Sequence, residues 1–170
     1  MANNALNNDY AEKLAEKYLL NEKTKDGRYL FAHTKGVVLV AEMLAELFNL
    51  DKDKMTALAW VHDIGYYLND PENHAKNSIK LLNEDGISLS DEELDAIANH
   101  GTGKLPITKE GKVMQIADKL SIINPDLLKV LLLHNKKSEG KELVNDEEIG
   151  FVKFMCDKAI KMLKELKSLK

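Results

Sequence analysis

Along most of this chain apolar residues recur at steps of three and four, and histidines and aspartates fall on or beside the same stripes. That spacing is the helical one. No stretch of alternating apolar and polar residues bounded by hairpin turns interrupts it, so the expected fold class is all-α. The stripe His33, Val37, Val40, Leu44 and Phe48 shows the constraint best, because a face that must leave water carries an imidazole with it.

About seven to eight helices are predicted. The first covers 9–20, with Tyr10, Leu14 and Tyr18 in register, and the polar stretch 21–28 ends it. The second runs over 32–48. The third, 53–67, groups Met55, Leu58, Ala59 and His62, with Asp63 one position round the edge. Asp70-Pro71 reads as an N-cap and first helical position of a fourth helix, which carries His74 and closes at Asp85-Gly86. Ser90-Asp91-Glu92-Glu93 is a capping box for a fifth, which ends at His100 where Gly101-Thr102-Gly103 and Pro106 make a loop. Thr108 opens a sixth, in which Met114, Asp118 and Ile122 lie one turn apart until Asn124-Pro125 stops it. A seventh over 126–136 and an eighth from Asn145 to the end read as packing elements. With no repeat and no long linker, the 170 residues are expected to form a single domain.

The 24 Lys plus Arg against 28 Asp plus Glu give a formal charge of -4, which argues against an electrostatic grip on duplex nucleic acid or an anionic membrane. Cys156 is the one cysteine, so an internal disulfide and a four-cysteine zinc site are excluded. Neither a secretory leader nor an uncharged run approaching the ~20 residues of a membrane helix is present, and a soluble, cytoplasmic protein is expected.

A single histidine on an apolar helix face is usually a core residue with a satisfied hydrogen bond. Here four of the five histidines, His33, His62, His74 and His100, accompany Asp63 and Asp118. An aspartate in the middle of an apolar face, as Asp118 is, costs several kcal/mol to bury unless something positive compensates it. Arginine occurs once, at Arg28, which leaves a divalent cation as the economical partner. Imidazoles with carboxylates suit iron, manganese, zinc or nickel rather than calcium, and the donors exceed one tetrahedral site. Either a second metal binds or some histidines act as acid, base or substrate contacts. Asp63, beside His62, is the natural bridge between two ions.

The tetrapeptide His62-Asp63-Ile64-Gly65, preceded by His33 and followed by His74, His100 and Asp118, resembles the HD-domain metal-dependent phosphohydrolases in their HDIG form. The resemblance covers 31–124 and implies an HD-domain helical bundle with that stretch as metal-binding core, flanked by packing helices in 1–30 and 125–170. It implies that His33, His62, Asp63 and Asp118 hold one divalent metal and that Asp63 bridges to a second held by His74 and His100. Within the superfamily, the run from His100 to Lys104 together with Ile116-Ala117-Asp118-Lys119 is similar to bacterial enzymes that split diadenosine tetraphosphate symmetrically.

One or two such cations make hydroxide available near neutral pH and stabilise charge on an attacked phosphorus, so hydrolysis of a phosphoester or phosphoanhydride in a nucleotide or dinucleoside polyphosphate is the expected reaction. Absence of a P-loop and of a Rossmann glycine signature sets kinase-like transfer and dinucleotide redox chemistry aside. The expected catalytic residues are Asp63, Lys104 and Lys119, and the expected substrate contacts are Lys35, Thr102, Gly103 and Lys104. A solvated surface lysine is the plainer reading of each lysine. His134 and Cys156 read as structural, Trp60 as core, and Tyr66-Tyr67 are left open. The competing function is a metal-containing sensor or interaction module without turnover, and a di-iron oxygenase shares many of the ligand types. Self-association into a homodimer is left open.

Overall fold

The computed structural model describes residues 6–121, Asn124, and positions 154, 157, 158, 160, 161 and 164. The expected seventh helix, His134 and Cys156 lie outside the described residues; of the expected eighth helix only those last six positions are described, and they are helical. Within them the chain is helical, with no strand: α1 Asn8–Leu19, α2 Gly27–Phe48, α3 Lys52–Val61, two 3-10 turns at Ile64–Leu68 and Pro71–Asn73, α4 His74–Glu84, α5 Asp91–Ala98 and α6 Lys109–Leu120. No helix among the described residues is long and apolar enough to cross a membrane.

The longest helix among the described residues, α2, is the spine, packing along α3 and α6, while α1 covers α3. Their shared interior holds Phe48, Met55, Leu58, Ile97, Met114 and Ile116, all shielded from solvent, and each such side chain contributes roughly 1.5–3 kcal/mol by leaving water. Helix starts are fixed locally. Asn7, Asp51, Ser90 and Thr108 each accept a hydrogen bond from a first-turn amide, and Ser90 with Glu93 completes the reciprocal box expected from the sequence.

Three boundaries differ from expectation, and all three shape the functional site. Helix α2 begins at Gly27 rather than at 32, because buried Leu30 extends the stripe through His33 and Val37. This extra turn brings Tyr29 onto the helix. The third helix stops at Val61 instead of reaching 67; Asp63 takes φ −111°, ψ 5° and the chain tightens into a 3-10 turn. Asp70 does not cap α4. Its carboxylate takes the Asn73 side chain instead (2.9 Å), Pro71 opens a 3-10 turn, and the α-helix starts at His74.

The loop between α5 and α6 is tied down by one carboxylate. Asp95 Oδ2 accepts from the Ile107 amide (3.0 Å), the Thr108 amide (2.8 Å) and the Thr108 hydroxyl (2.6 Å), while Oδ1 takes the Asn99 side chain (2.8 Å). A side chain on Gly111 would overlap this carboxylate, so glycine is needed where α6 passes it. Partial burial disfavours the charge, but the bonds from Thr108, Asn99 and Ile107 outweigh it and hold the Asp95 carboxyl below its ordinary value. A depressed folded-state value means the stabilisation is complete above the unfolded carboxylate pKa of about 3.9 and disappears as pH falls through the folded one. Asp95→Ala is expected to cost about 2 kcal/mol at neutral pH, discounted for its partial exposure, and to flatten the loss of stability below about pH 4. Urea denaturation of both proteins at pH 7 and at low pH measures this.

Candidate metal centre

Five separate pieces of chain deliver the expected ligands to one place. His33 comes from α2, His62 and Asp63 from the break after α3, His74 from the first turn of α4, His100 from just past α5, and Asp118 from the last turn of α6. Asp63 lies between the imidazoles. Its Oδ2 is 3.3 Å from His62 Nε2 and 3.5 Å from His33 Nε2; its Oδ1 is 3.3 Å from His100 Nε2 and 3.5 Å from His74 Nε2. His33 Nε2 is in turn 3.1 Å from Asp118 Oδ1. The structure thus brings together all six expected ligands, with one carboxylate oxygen facing each half of the cluster.

The break after α3 has a specific cause. A Cβ on Gly65 would collide with the His74 carbonyl and sit 2.5 Å from the Ser78 amide, so only glycine lets α4 approach. The Gly65 amide donates to Ser78 Oγ (2.8 Å), which donates to the His62 carbonyl (2.7 Å), clamping the turn and the helix together.

Each imidazole is oriented by its other nitrogen. His62, His74 and His100 place Nδ1 against the carbonyls of Ala59 (2.8 Å), Pro71 (2.6 Å) and Ile97 (2.7 Å), each three residues earlier. A carbonyl only accepts, so these Nδ1 atoms carry the hydrogen and each ring turns its Nε2 to the centre, where the neutral form offers a lone pair. His33 reaches the same state differently. Ser121 Oγ donates to the Asp118 carbonyl (2.7 Å) and is left to accept from His33 Nδ1 (2.9 Å).

The donor set fits a cation. His62 Nε2 and Asp63 Oδ1 are buried without a hydrogen-bond partner, and the Nε2 atoms of His74 and His100 stand 3.0 Å apart, where two lone pairs repel unless positive charge lies between them. Burial opposes charge on Asp63, but His62 and His100 hold its carboxyl well below the usual range. Asp118 is likewise held low against its burial by His33 and Lys119. Two ionised carboxylates therefore face the centre; burial pushes His62 down toward the neutral form, while against their burial Asp118 and Asp63 hold His33 and His100 up toward the charged form, so positive charge is favoured at the centre. His33, His62 and Asp118 form one group of donors lying within 4.8 Å of one another, and His62, Asp63 and His100 form another.

The cluster floors a cavity of about 300 Å³. Tyr29, Leu30, Tyr66, Gly101 and Thr102 form its walls, and Tyr66 stacks on the His74 ring at 4.6 Å and 15°. Burial and the Asp63 and Asp118 charges push both tyrosine hydroxyls up, so they remain protonated donors at neutral pH. Tyr67 turns away, edge-on to Tyr18. Lys119 is 1% exposed and pairs with Asp118 and the His100 carbonyl, so its side chain faces the site rather than solvent. Lys35 and Lys104 are exposed and do not line the cavity, and neither does Gly103, which turns the loop at φ +84°. Arg28 is exposed beside the mouth residue Tyr29. Tyr29, Leu30 and Ser121 escaped the sequence reading. Tyr29 lies four residues before His33 and Ser121 three after Asp118, so extending each helix face by one turn would have found them. A larger, shallower depression of about 610 Å³ beside Asp9, Asp51, Asp53 and Glu93 has no imidazole in its lining.

Residues 30–123 match the family model of the HD domain, the stretch that holds all six ligand-type residues. The chain belongs to the HD domain family. The resemblance carried by His62-Asp63-Ile64-Gly65 is borne out by this match. Among curated relatives, the HD domain chain is 34% identical over 118 residues to a deoxyguanosinetriphosphate triphosphohydrolase-like protein of Caldanaerobacter subterraneus subsp. tengcongensis, spanning 59% of this chain and 35% of that protein. It is 30% identical over 99 residues to ribonuclease Y of Ureaplasma parvum, spanning 58% of this chain and 21% of that one. The chain thus spans about a third or less of the length of these two relatives. A solved structure from Clostridium acetobutylicum, a predicted HD superfamily hydrolase involved in NAD metabolism, superposes with TM-score 0.50 at 20% identity over 88% of this chain and 97% of that one, which shows a shared fold.

Two variants test this geometry. Gly65→Ala is expected to force α4 and His74 outward and to cost about 1–3 kcal/mol, read as a lowered thermal midpoint together with lost metal affinity. Ser121→Ala frees His33 Nδ1 from its acceptor while leaving the fold intact; metal affinity, measured by competition with a chromophoric chelator, is expected to fall roughly 10–100-fold.

Proposed function

We propose that this HD domain chain is a metal-dependent phosphohydrolase acting on a phosphoester or phosphoanhydride bond of a nucleotide, alone or as a homodimer. One observation carries the reading: four Nε2 atoms and two carboxylates converge at the floor of an open cavity, with His62 Nε2 and Asp63 Oδ1 buried and unpartnered. Relatives named for triphosphohydrolysis of a deoxynucleotide and for ribonuclease action support phosphorus chemistry.

In this reading His33, His62, Asp63 and Asp118 hold one divalent transition metal, iron, manganese, zinc or nickel, and Asp63 reaches a second through the side shared with His74 and His100. Bound there, the cations supply hydroxide at neutral pH and offset charge on the phosphate oxygens. The remaining residues prepare the substrate. Tyr29, Tyr66 and Thr102 offer hydroxyl donors at the cavity wall, and Lys119 neutralises Asp118 on the side away from His33, keeping that carboxylate aimed at the centre. Lys104, with Gly103 beside it, and Lys35 meet the more distant phosphates at the rim. Leu30 and the tyrosine rings form an apolar flank suited to a base or sugar. Diadenosine tetraphosphate is the finer substrate reading, resting on the run from His100 to Lys104 and on Asp118-Lys119.

Purified protein is expected to hold near-stoichiometric transition metal by mass spectrometry and to hydrolyse members of a panel of nucleotides, phosphomonoesters and dinucleoside polyphosphates. Asp63→Ala is expected to lose both metal and turnover. Full activity in that variant rejects the reading, and stoichiometric metal without turnover of any panel member favours a metal-containing sensor.

A further inference from the structure

The segment after His100 is held by its carbonyl oxygens. Gln115, on α6 and 7% exposed, donates from Nε2 to the carbonyls of Gly101 (2.9 Å), Asn99 (3.1 Å) and Lys104 (3.1 Å). One turn along the same helix face, the buried Lys119 Nζ reaches the His100 carbonyl at 3.3 Å. Gln115 sits among the buried residues Val113, Met114, Ile116 and Ala117, where an amide without partners is costly, and its donors are spent wholly on this segment.

A trans peptide points its C=O and the following N–H in opposite directions, and no peptide among the described residues is cis. With the carbonyls of 99, 100 and 101 aimed at α6, the amides of His100, Gly101 and Thr102 are aimed away from it. The Gly101 and Thr102 amides bond to no acceptor among the described residues. Both residues line the cavity above the ligand cluster. At Gly101 an added Cβ would meet nothing nearer than Lys104 Cγ at 3.9 Å, so packing does not demand glycine there; what it leaves is uncovered backbone.

We infer that Gln115 is a positioning residue: by fixing three carbonyls of the 99–104 segment it leaves the Gly101 and Thr102 amides facing the cavity as a seat for a phosphate group. The identification of that anion with the substrate's phosphate rests on the phosphohydrolase reading. His100 needs no help from Gln115 to aim its ring, because its Nδ1 is anchored to Ile97. Loss of the Gln115 donors therefore affects anion binding while metal loading survives.

The test is titration of inorganic phosphate into full-length ¹⁵N-labelled protein loaded with Zn²⁺, followed by amide resonances. Saturable shifts centred on Gly101 and Thr102 are expected. In Gln115→Met, of similar length but without donors, the phosphate Kd is expected to rise at least about tenfold. For a hydrolysed ester KM is expected to rise more than kcat falls, with zinc affinity unchanged. Gln115→Glu, the same shape with acceptors only, is expected to behave like Gln115→Met. Wild-type phosphate affinity in Gln115→Met overturns the inference, and so does phosphate binding that leaves the Gly101 and Thr102 amides unmoved. If both variants fail to fold, the wild-type shift map decides alone. Protein that seats phosphate on these amides yet hydrolyses no ester keeps this inference and overturns the functional reading. Turnover with silent amides does the reverse.

Discussion

A carboxylate buried among four imidazoles is an unstable arrangement unless every proton and lone pair around it is assigned. Asp63 has that position, and the surrounding chain assigns them by occupying each Nδ1 with an oxygen acceptor. The rings are left with their Nε2 atoms turned inward, and an inward ring of imidazoles around ionised oxygens is a demand for positive charge, met by protons on the rings or by a cation. Most of the rest of the structure serves this demand. Helix α2 is long enough to carry both core and ligand, α3 stops where His62 must turn, and α6 presents Asp118 with Lys119 behind it.

The closeness of α4 to the turn after Asp63 is the second condition. Its helix can touch the backbone at Gly65 because no side chain intervenes, and Ser78 fills the contact with a relay of two short hydrogen bonds. This gives a physical role to the glycine of the His62-Asp63-Ile64-Gly65 run that spacing alone does not supply. The isoleucine is equally constrained, being fully enclosed in the core. The short sequence is thus a compact set of steric requirements as well as a carrier of ligands.

Helical periodicity made the fold class and the first six helices legible, since α2, α3, α5 and α6 bury the stripes that the sequence displays. The capping box at Ser90 and the cap at Thr108 were legible because their chemistry is contained within four residues. Asp70-Pro71 misled because the same dipeptide also starts a 3-10 turn, and only the contact of α4 with Gly65 selects between the two. The six ligand-type residues were recoverable because each is an ionisable or imidazole group on a face that has to leave water. Ser121, Tyr29 and Gln115 were not, since a serine, a tyrosine or a glutamine on a helix is ordinary until the partner across the fold is known. Lys119 was ambiguous for a geometric reason: adjacent helical residues diverge by ~100°, and only the His100 carbonyl on the neighbouring segment fixes which way it turns.

The anchors of the four rings differ in range. Three are tied to carbonyls three residues away, while His33 depends on Ser121 across a separation of 88 positions. Closing so long a stretch carries an entropic cost that the local anchors avoid. The rings of His62, His74 and His100 are consequently aimed by short-range structure, whereas that of His33 is aimed only when α2 and α6 dock, so its orientation reports directly on the packing of those two helices.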